Sequence, residues 1–433
     1  MTAPNPAPTP APALSLSRNR EFAALWIGQT VSQFGTSLSA FAYPLLVLAL
    51  TGSAAQAGLV GTVLGLTTFL LRLPAGAWTD RVDRRRLMLW SDAGRVVGVV
   101  SIPVADAMGR LTLAQILAVA VVEGALGVLF GPAEAAAVRR VVPADQVRQA
   151  VARNQIRSQV AGLLGPTVGG LLFGLGRAVP FVGDAVSYAI SFLCVLTVRT
   201  PLQDTGAPPR RRRLVGEIRE GLSWWWRDRF LRAAALWMAG AGAAYSSIGL
   251  VTLVLARDAG ATVGELGVMF TLTAAGGFGG ALLAPWIRAH LRPGLLLVVF
   301  GWTGAAAAGT IVVLRSPYAL GIAGAVAFLL FPAVNAVVFG HLAATVPDRL
   351  QGRVHSAVMQ VSMMLAPVGP VVAGLLLDGA GPTRTAGIYA AALTALAIAA
   401  TATRAIRSAT EPPAGRPGDS ASGPRPTPVG PPA

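Results

Sequence analysis

The sequence predicts an all-α membrane protein: twelve transmembrane helices in two pseudo-symmetric six-helix bundles. Three observations predict it. Twelve apolar runs punctuate the 433-residue chain, each near the roughly 20 residues a helix needs to cross the hydrocarbon core. Only 12% of residues are charged and 54% are hydrophobic, with a mean hydropathy of +0.61, where a soluble domain would carry about a quarter charged. Finally, the second half repeats the first. FGPAEAAAVRRVVP at 130–143 parallels LFPAVNAVVFGHLAATVP at 330–347, and GPTVGG at 165–170 recurs as GPVVAG at 369–374. Duplicated halves around a midplane cavity are the expected architecture.

Taken in order, the chain opens on a Pro/Ala-rich segment, 1–20, that lacks a basic region followed by a cleavage site. It reads as a disordered cytoplasmic tail, not a signal peptide. Span 1 covers 22–50 and span 2 covers 57–79. GAWTDRVDRRR at 76–86 follows, with two carboxylates and four arginines, before span 3 at 87–108. So short and charged a loop stays at one surface, and arginine excess marks the cytoplasmic side. Spans 4 (112–137), 5 (156–176) and 6 (181–199) complete a first bundle, 21–199. The polar stretch 200–230 then divides the spans six and six. It holds the run Arg210 to Arg213 and GEIREGLSWWWRDRF. That segment reads as a cytoplasmic linker with an interfacial amphipathic helix, Trp224 to Trp226 at headgroup depth. A solvated linker with a chance tryptophan cluster is the alternative. Spans 7 (231–256), 8 (263–287), 9 (294–314), 10 (318–344), 11 (356–378) and 12 (385–407) form the second bundle, 231–408, ahead of a Pro/Gly/Ser-rich tail, 409–433.

The arginines test this order. Arg110, Arg177, Arg257, Arg315 and Arg384 sit singly in the outside turns, Arg72 and Arg95 fall within spans, and all others lie inside. Both termini are therefore expected in the cytoplasm, and a bacterial cytoplasmic membrane is the expected location. No lysine occurs among the 35 basic residues; with the Ala, Gly and Pro enrichment this suggests a GC-rich bacterial gene. The net charge of +16 is a topology signal, because its arginines sit in short loops, so nucleic acid is not an expected partner. The single cysteine, Cys194, excludes disulfides and cysteine metal sites. His290, His341 and His355 show no ligand spacing. No phosphate-binding glycine-lysine loop is present. No cofactor, metal or enzymatic activity is expected.

Ionisable residues in lipid are functional candidates by default. Glu123 in mid-span 4 is the most interior carboxylate, and desolvation penalises its charged form, as proton loading requires. The alternative is a structural Glu123 paired to Arg72 or a backbone donor. Asp92 and Arg95, three apart on span 3, read as an intrahelical pair in preference to a coupling site. Asp184 reads as an anchor at the start of span 6. Arg72, Gly76 and Asp80, spaced i, i+4, i+8, share one helix face. Gly76 there permits close approach, and Asp80 could accept hydrogen bonds from an opposing helix N-terminus.

Gly76, Asp80, Arg81, Arg84 and Arg85 resemble the Gly-x-x-x-Asp-Arg loop between helices 2 and 3 of major facilitator superfamily transporters, with Asp83 where the family usually has glycine. The resemblance implies a cytoplasmic latch of the outward-facing state, Asp80 meeting span 11 near Arg353 to Ser356. AGLLGPTVGG at 161–170 resembles the antiporter motif through Gly165, Pro166, Gly169 and Gly170, with Ala161 replacing the leading glycine. The alternative there is ordinary glycine-mediated packing. The segments at 25–53, 91–95, 182–188 and 219–228 are similar to the branch of macrolide efflux and enterobactin exporters. Thr36 after Gly35, where many relatives have an acid, and the lack of arginine between Arg110 and Arg139 depart from it.

The resemblance implies secondary active export of a hydrophobic or amphipathic small molecule with the proton as coupling ion, Glu123 or Asp92 carrying it. Spans 1, 4, 7 and 10 are expected to line the cavity, offering Gln29, Gln33, Tyr43, Glu123, Tyr245, Ser246, Ser247 and Asn335. The partners expected are the substrate, the proton and the bilayer, with the chain a monomer. Uptake by symport and a non-transporting scaffold or sensor are the alternatives.

Overall fold

A computed structural model describes residues 16–79, 81–203 and 214–409. The remainder of both predicted tails, Asp80, and the run Arg210 to Arg213 lie outside the described residues. Twelve helical segments are long and apolar enough to cross a membrane. The first bundle is α1 (Arg20–Thr51), α2 (Ala54–Thr79), α3 (Arg84–Ala107), α4 (Leu113–Val141), α5 (Val147–Leu175) and α6 (Val179–Thr197). After α7 (Leu214–Arg227), the second bundle runs α8 (Arg229–Asp258), α9 (Val263–His290), α10 (Pro293–Val313), α11 (Pro317–Leu329), α12 (Phe331–Thr345), α13 (Asp348–Ser362), α14 (Gly369–Ala380), α15 (Pro382–Ala402) and α16 (Arg404–Arg407).

Two expected boundaries are corrected. Spans 10 and 11 are each split, at Leu330 and between Ser362 and Gly369. Proline alone does not break a helix here, because Pro44, Pro103, Pro132, Pro166 and Pro285 lie inside continuous ones. In span 11, however, Pro367 and Pro370 remove two N–H donors within one turn. The equivalent stretch of α5 carries Pro166 alone. α5 also starts at Val147, nine residues before the apolar run. Its first three turns carry Arg148, Arg153 and Arg157, with Arg157 buried and paired to Glu134 at 2.9 Å.

Side-chain caps start the helices where the apolar pattern begins. Asn19, Asp83, Thr112 and Asp228 each accept a backbone N–H of the first turn, and Thr262 with Glu265 forms a capping box. The residue the family resemblance marked as a departure, Asp83, is thus the cap of α3. Among the described residues, Gly52, Gly109, Gly260 and Gly381 have φ of +64 to +88°, the region that favours glycine, and all lie in turns at the end opposite the 81–83 turn. That end is called the far end below, the other the loop end.

The outer surface is apolar: Trp90, Val97, Leu175, Leu282 and Val313 are among its most exposed side chains. Such a belt is stable only against lipid. Within the bundles small residues let backbones meet, as where α9 crosses α11 with Gly276 against Ala325. α7 packs on α13, with Gly221 set against the Arg353 backbone and Glu220 paired with Arg353. Of the expected tryptophan cluster only Trp226 is well exposed, under the Arg232 guanidinium. Trp225 is buried and donates to the Leu231 carbonyl.

Candidate transport cavity

The two halves meet along two seams, α2 against α14 and α5 against α9. Both are built on glycine. On α2, Gly58, Gly61 and Gly65 form a bare stripe against Pro370 and Pro367: a Cβ on Gly61 would lie 3.3 Å from Pro370 Cβ, and one on Gly65 3.4 Å from Pro367 Cα. On the other seam a Cβ on Gly170 would lie 2.7 Å from the Val263 carbonyl, and one on Gly267 2.6 Å from the Pro166 carbonyl. Thr167 and Thr271 hydroxyls bond at 2.6 Å, and the Phe41 and Phe270 rings meet edge to face at 5.6 Å. Of the antiporter-like residues, Gly165 and Gly169 face α1 within their own half, and Gly170 reaches the other half.

At the far end one carboxylate joins the halves. Asp378 on α14 accepts the Ala54 N–H at 2.9 Å, the Ala55 N–H at 3.0 Å and the Ser53 hydroxyl at 2.6 Å. The two amides are orphan donors of the first turn of α2, and the helix dipole there favours an anion. The contact nearest the middle is Gln360 Nε2 donating to the Phe69 carbonyl at 3.3 Å. Beyond Phe69, α2 makes no hydrogen bond to the other half among the described residues.

A cavity of about 460 Å³ lies in the N-terminal half, lined by Thr36, Tyr43, Arg72, Arg95, Glu123, Tyr188 and neighbours. Glu123 is buried there. One carboxylate oxygen accepts the Tyr43 hydroxyl and the other the Tyr188 hydroxyl at 3.0 Å. Thr36 Oγ lies 2.9 Å from the same Tyr188 oxygen. Arg95 stacks on the Tyr188 ring at 4.3 Å and pairs with Asp92 at 2.5 Å. Asp92 accepts Ser191 at 2.7 Å, and Ser191 in turn accepts Gln29 at 2.8 Å. Asp184 accepts Ser39 at 2.5 Å and Ser187 at 3.2 Å. The counterpart cavity of the second half, about 180 Å³, is lined by Tyr245, Thr252, Phe270, Thr273 and Phe328, mostly apolar. Charged side chains line the first cavity alone of the two; the second is walled by aliphatic residues with three aromatic rings.

Tyr43 and Glu123 line the first of these cavities and Tyr245 the second. Asp92 is joined to Glu123 only through Arg95 and Tyr188. Gln29 is buried against Ser191, and Ser247 is spent on the Ala243 carbonyl. Ser246 donates to the Ala366 carbonyl at 2.8 Å, covering an acceptor freed by the break in span 11. Gln33 and Asn335 line neither cavity. Asp184, near the start of α6, is fully buried and accepts the Ser39 hydroxyl of α1. Glu123 takes phenols as partners, and Arg72 has none among the described residues. Of the latch residues, Gly76 faces open space, Arg84 donates to the Leu202 carbonyl at 2.9 Å and Arg85 to the Leu196 carbonyl at 2.7 Å. Arg81 is exposed. Sequence reasoning missed Tyr188, the glycine stripe of α2 and Asp378.

Two six-helix halves, sealed at one end around a cavity with buried acids, define a polytopic membrane transporter. Residues 25–367 match the Major Facilitator Superfamily, and the chain belongs to it. It is 28% identical over 379 residues to the multidrug efflux pump Tap of Mycolicibacterium fortuitum, covering 83% of this chain and 88% of the relative. It is 22% identical over 374 residues to the enterobactin exporter EntS of Salmonella typhi, covering 84% and 86%. Its fold is similar to a bacterial homologue of the lysosomal transporter Spinster, inward-facing and unoccupied, with TM-score 0.70, 16% identity and coverage of 92% and 99%. It is likewise similar to an inward-facing bacterial homologue of ferroportin, with TM-score 0.67, 15% identity and coverage of 90% and 99%. The protein is a multi-pass bacterial membrane transporter and not an enzyme.

Proposed function

We propose that this chain exports a hydrophobic or amphipathic small molecule by alternating access, in exchange for a proton. The efflux reading rests on its similarity to a multidrug pump and an enterobactin exporter. The observation that carries the proton reading is Glu123, the buried acid of the cavity, held by the hydroxyls of Tyr43 and Tyr188. A carboxyl there changes its solvation whenever the cavity changes sides, and its affinity for a proton follows. With both termini cytoplasmic, as the arginines argue, the loop end faces the cytoplasm and the geometry is the inward-facing one. The contacts of Asp378 with α2 would hold the opposite side shut. Helices 21–199 and 231–408 then act as two rocking halves, and the 200–230 linker joins them.

The test is the susceptibility and compound accumulation of a drug-sensitive host with and without the gene. Lower accumulation supports export. Higher accumulation turns the reading to uptake, and no change across a broad panel turns it to a scaffold.

A further inference from the structure

The wall of the N-terminal cavity has a second feature, built by α2 and α4. Leu64, Thr68 and Arg72 all line it and stand four residues apart, so they form one ladder along α2: apolar, hydroxyl, cation. Opposite them α4 presents Gly124, Gly127, Gly131 and Pro132. The helices touch at Gly124, where a Cβ would lie 3.2 Å from the Leu64 carbonyl and 3.3 Å from Thr67 Cβ. They then diverge, because a Cβ on Gly127 or Gly131 would meet nothing within 4 Å. The result is a flat slot with a smooth glycine floor, widening toward the loop end.

Arg72 is exposed within this slot and makes no hydrogen bond or ion pair among the described residues, and the Thr68 hydroxyl has no partner there either. Every other charge lining the cavity is committed. Arg95 is paired with Asp92, and both oxygens of Glu123 accept phenolic hydroxyls. A guanidinium at membrane depth without a counter-ion is costly unless something supplies one. Its planar fork fits a carboxylate in two-point contact.

We infer that the α2–α4 slot binds a flat amphipathic organic acid, its apolar body against Leu64 and the glycine floor and its carboxylate on Arg72 and Thr68. The inference deepens the export reading by naming a cargo class, and rests on this cavity being the cargo site. The same chemistry is available from an anionic lipid headgroup, which the experiment separates.

The experiment is equilibrium dialysis of the full chain in phosphatidylcholine nanodiscs, corrected with empty discs, against 2-naphthylacetate, its methyl ester and 2-naphthylethylamine. The acid is expected to bind about tenfold more tightly than the ester or amine. Arg72→Gln lowers the acid to the level of the ester and leaves ester binding unchanged, which reports an intact fold. Arg72→Lys retains part of the preference, and Gly131→Leu weakens acid and ester together. Acid binding that falls when a third of the lipid is phosphatidylglycerol identifies the headgroup as the competing anion; unchanged binding identifies the free acid. An acid-to-ester ratio that survives Arg72→Gln overturns the proposal. Binding of the amine alone overturns the anion class but leaves the cargo site standing. No probe retained above empty discs removes the slot as a site, while the accumulation test of export stands apart.

Discussion

Asp378 and Ala54 lie 324 residues apart, in different halves of the molecule, and the carboxylate of the first accepts the backbone N–H of the second at 2.9 Å. With Ala55 and Ser53 bound as well, a single side chain caps α2 in trans. The seam on the other side, between α5 and α9, has no such need, because Thr262 and Glu265 cap α9 from within. Closure of the far end thus depends on charge along one seam and on glycine along both. Hydrogen bonds to a charged group are worth about 1.5–3 kcal/mol each. Asp378→Asn should therefore shift the population toward a far end that is open. Spin-label distances between Cys introduced at Arg110 and Arg315, in a Cys194→Ser background, should lengthen. An unchanged distribution would show that the clamp carries no conformational weight.

Gly170→Leu should act in the same direction through the opposite seam. Its Cβ would press on the Val263 carbonyl at 2.7 Å, and backbone cannot yield as a side chain can. Gly174→Ala, whose Cβ meets nothing within 4 Å, is the matched control. It should leave the distances unchanged and raise stability by about 0.5–1 kcal/mol through helix propensity alone.

Glu123→Gln keeps shape and much of the hydrogen bonding with Tyr43 and Tyr188 but removes titration. Transport driven by a pH gradient in proteoliposomes should be lost while substrate binding is retained. Lowered expression or thermal stability with coupling intact would assign Glu123 a structural role instead. Coupling that persists unchanged would move the test to Asp92.

Arg95 is buried between Asp92, Phe130 and Tyr188. Removing its partner strands a buried charge, at a cost of about 3–5 kcal/mol. Asp92→Asn should lower the thermal midpoint markedly, and Asp92→Asn combined with Arg95→Met should recover part of the loss. A single variant as stable as wild type would mean that Arg95 is stabilised by its aromatic contacts alone.

Asp228 gives a pH signature. Burial alone would raise its affinity for a proton, but the His341 ring at 3.3 Å and the Leu231 N–H at 2.8 Å outweigh this and hold its carboxyl below the ordinary aspartate range. A group depressed in the folded state contributes stability above its unfolded pKa and loses it as pH falls through the folded value. The thermal midpoint should therefore drop on acidification below the usual aspartate range. Asp228→Asn, which still caps α8, should flatten that part of the profile. An identical slope in the variant would assign the dependence to other carboxyls.

The spans were legible because lipid demands length and apolarity. The breaks at Leu330 and after Ser362 were not, since hydropathy does not register a missing N–H. Glu123 and Tyr43 were legible from depth alone. Gln29 looked equally interior, but which way a polar side chain turns depends on its neighbour, and Ser191 claimed it. Tyr188 had a signal that went unread: Asp184, Tyr188 and Ser191 lie at i, i+4 and i+7, a polar stripe on an otherwise apolar α6. Asp378 had none, because two of its partners are backbone amides and the third, the Ser53 hydroxyl, lies 325 residues away in the other half.

The interruption of span 11 separates two attachments that a continuous helix would have coupled. α14 is docked on α2, and α13 is strapped to α7 through Glu220 and Arg353. A rigid rod held at both tips would have to pivot as a whole, so that releasing one tip would drag the other. Divided between Ser362 and Gly369, it becomes two levers on a common fulcrum. Either side of the membrane can then give way while its opposite grip still holds, and a carrier that must never be open to both sides at once needs that sequence of movements.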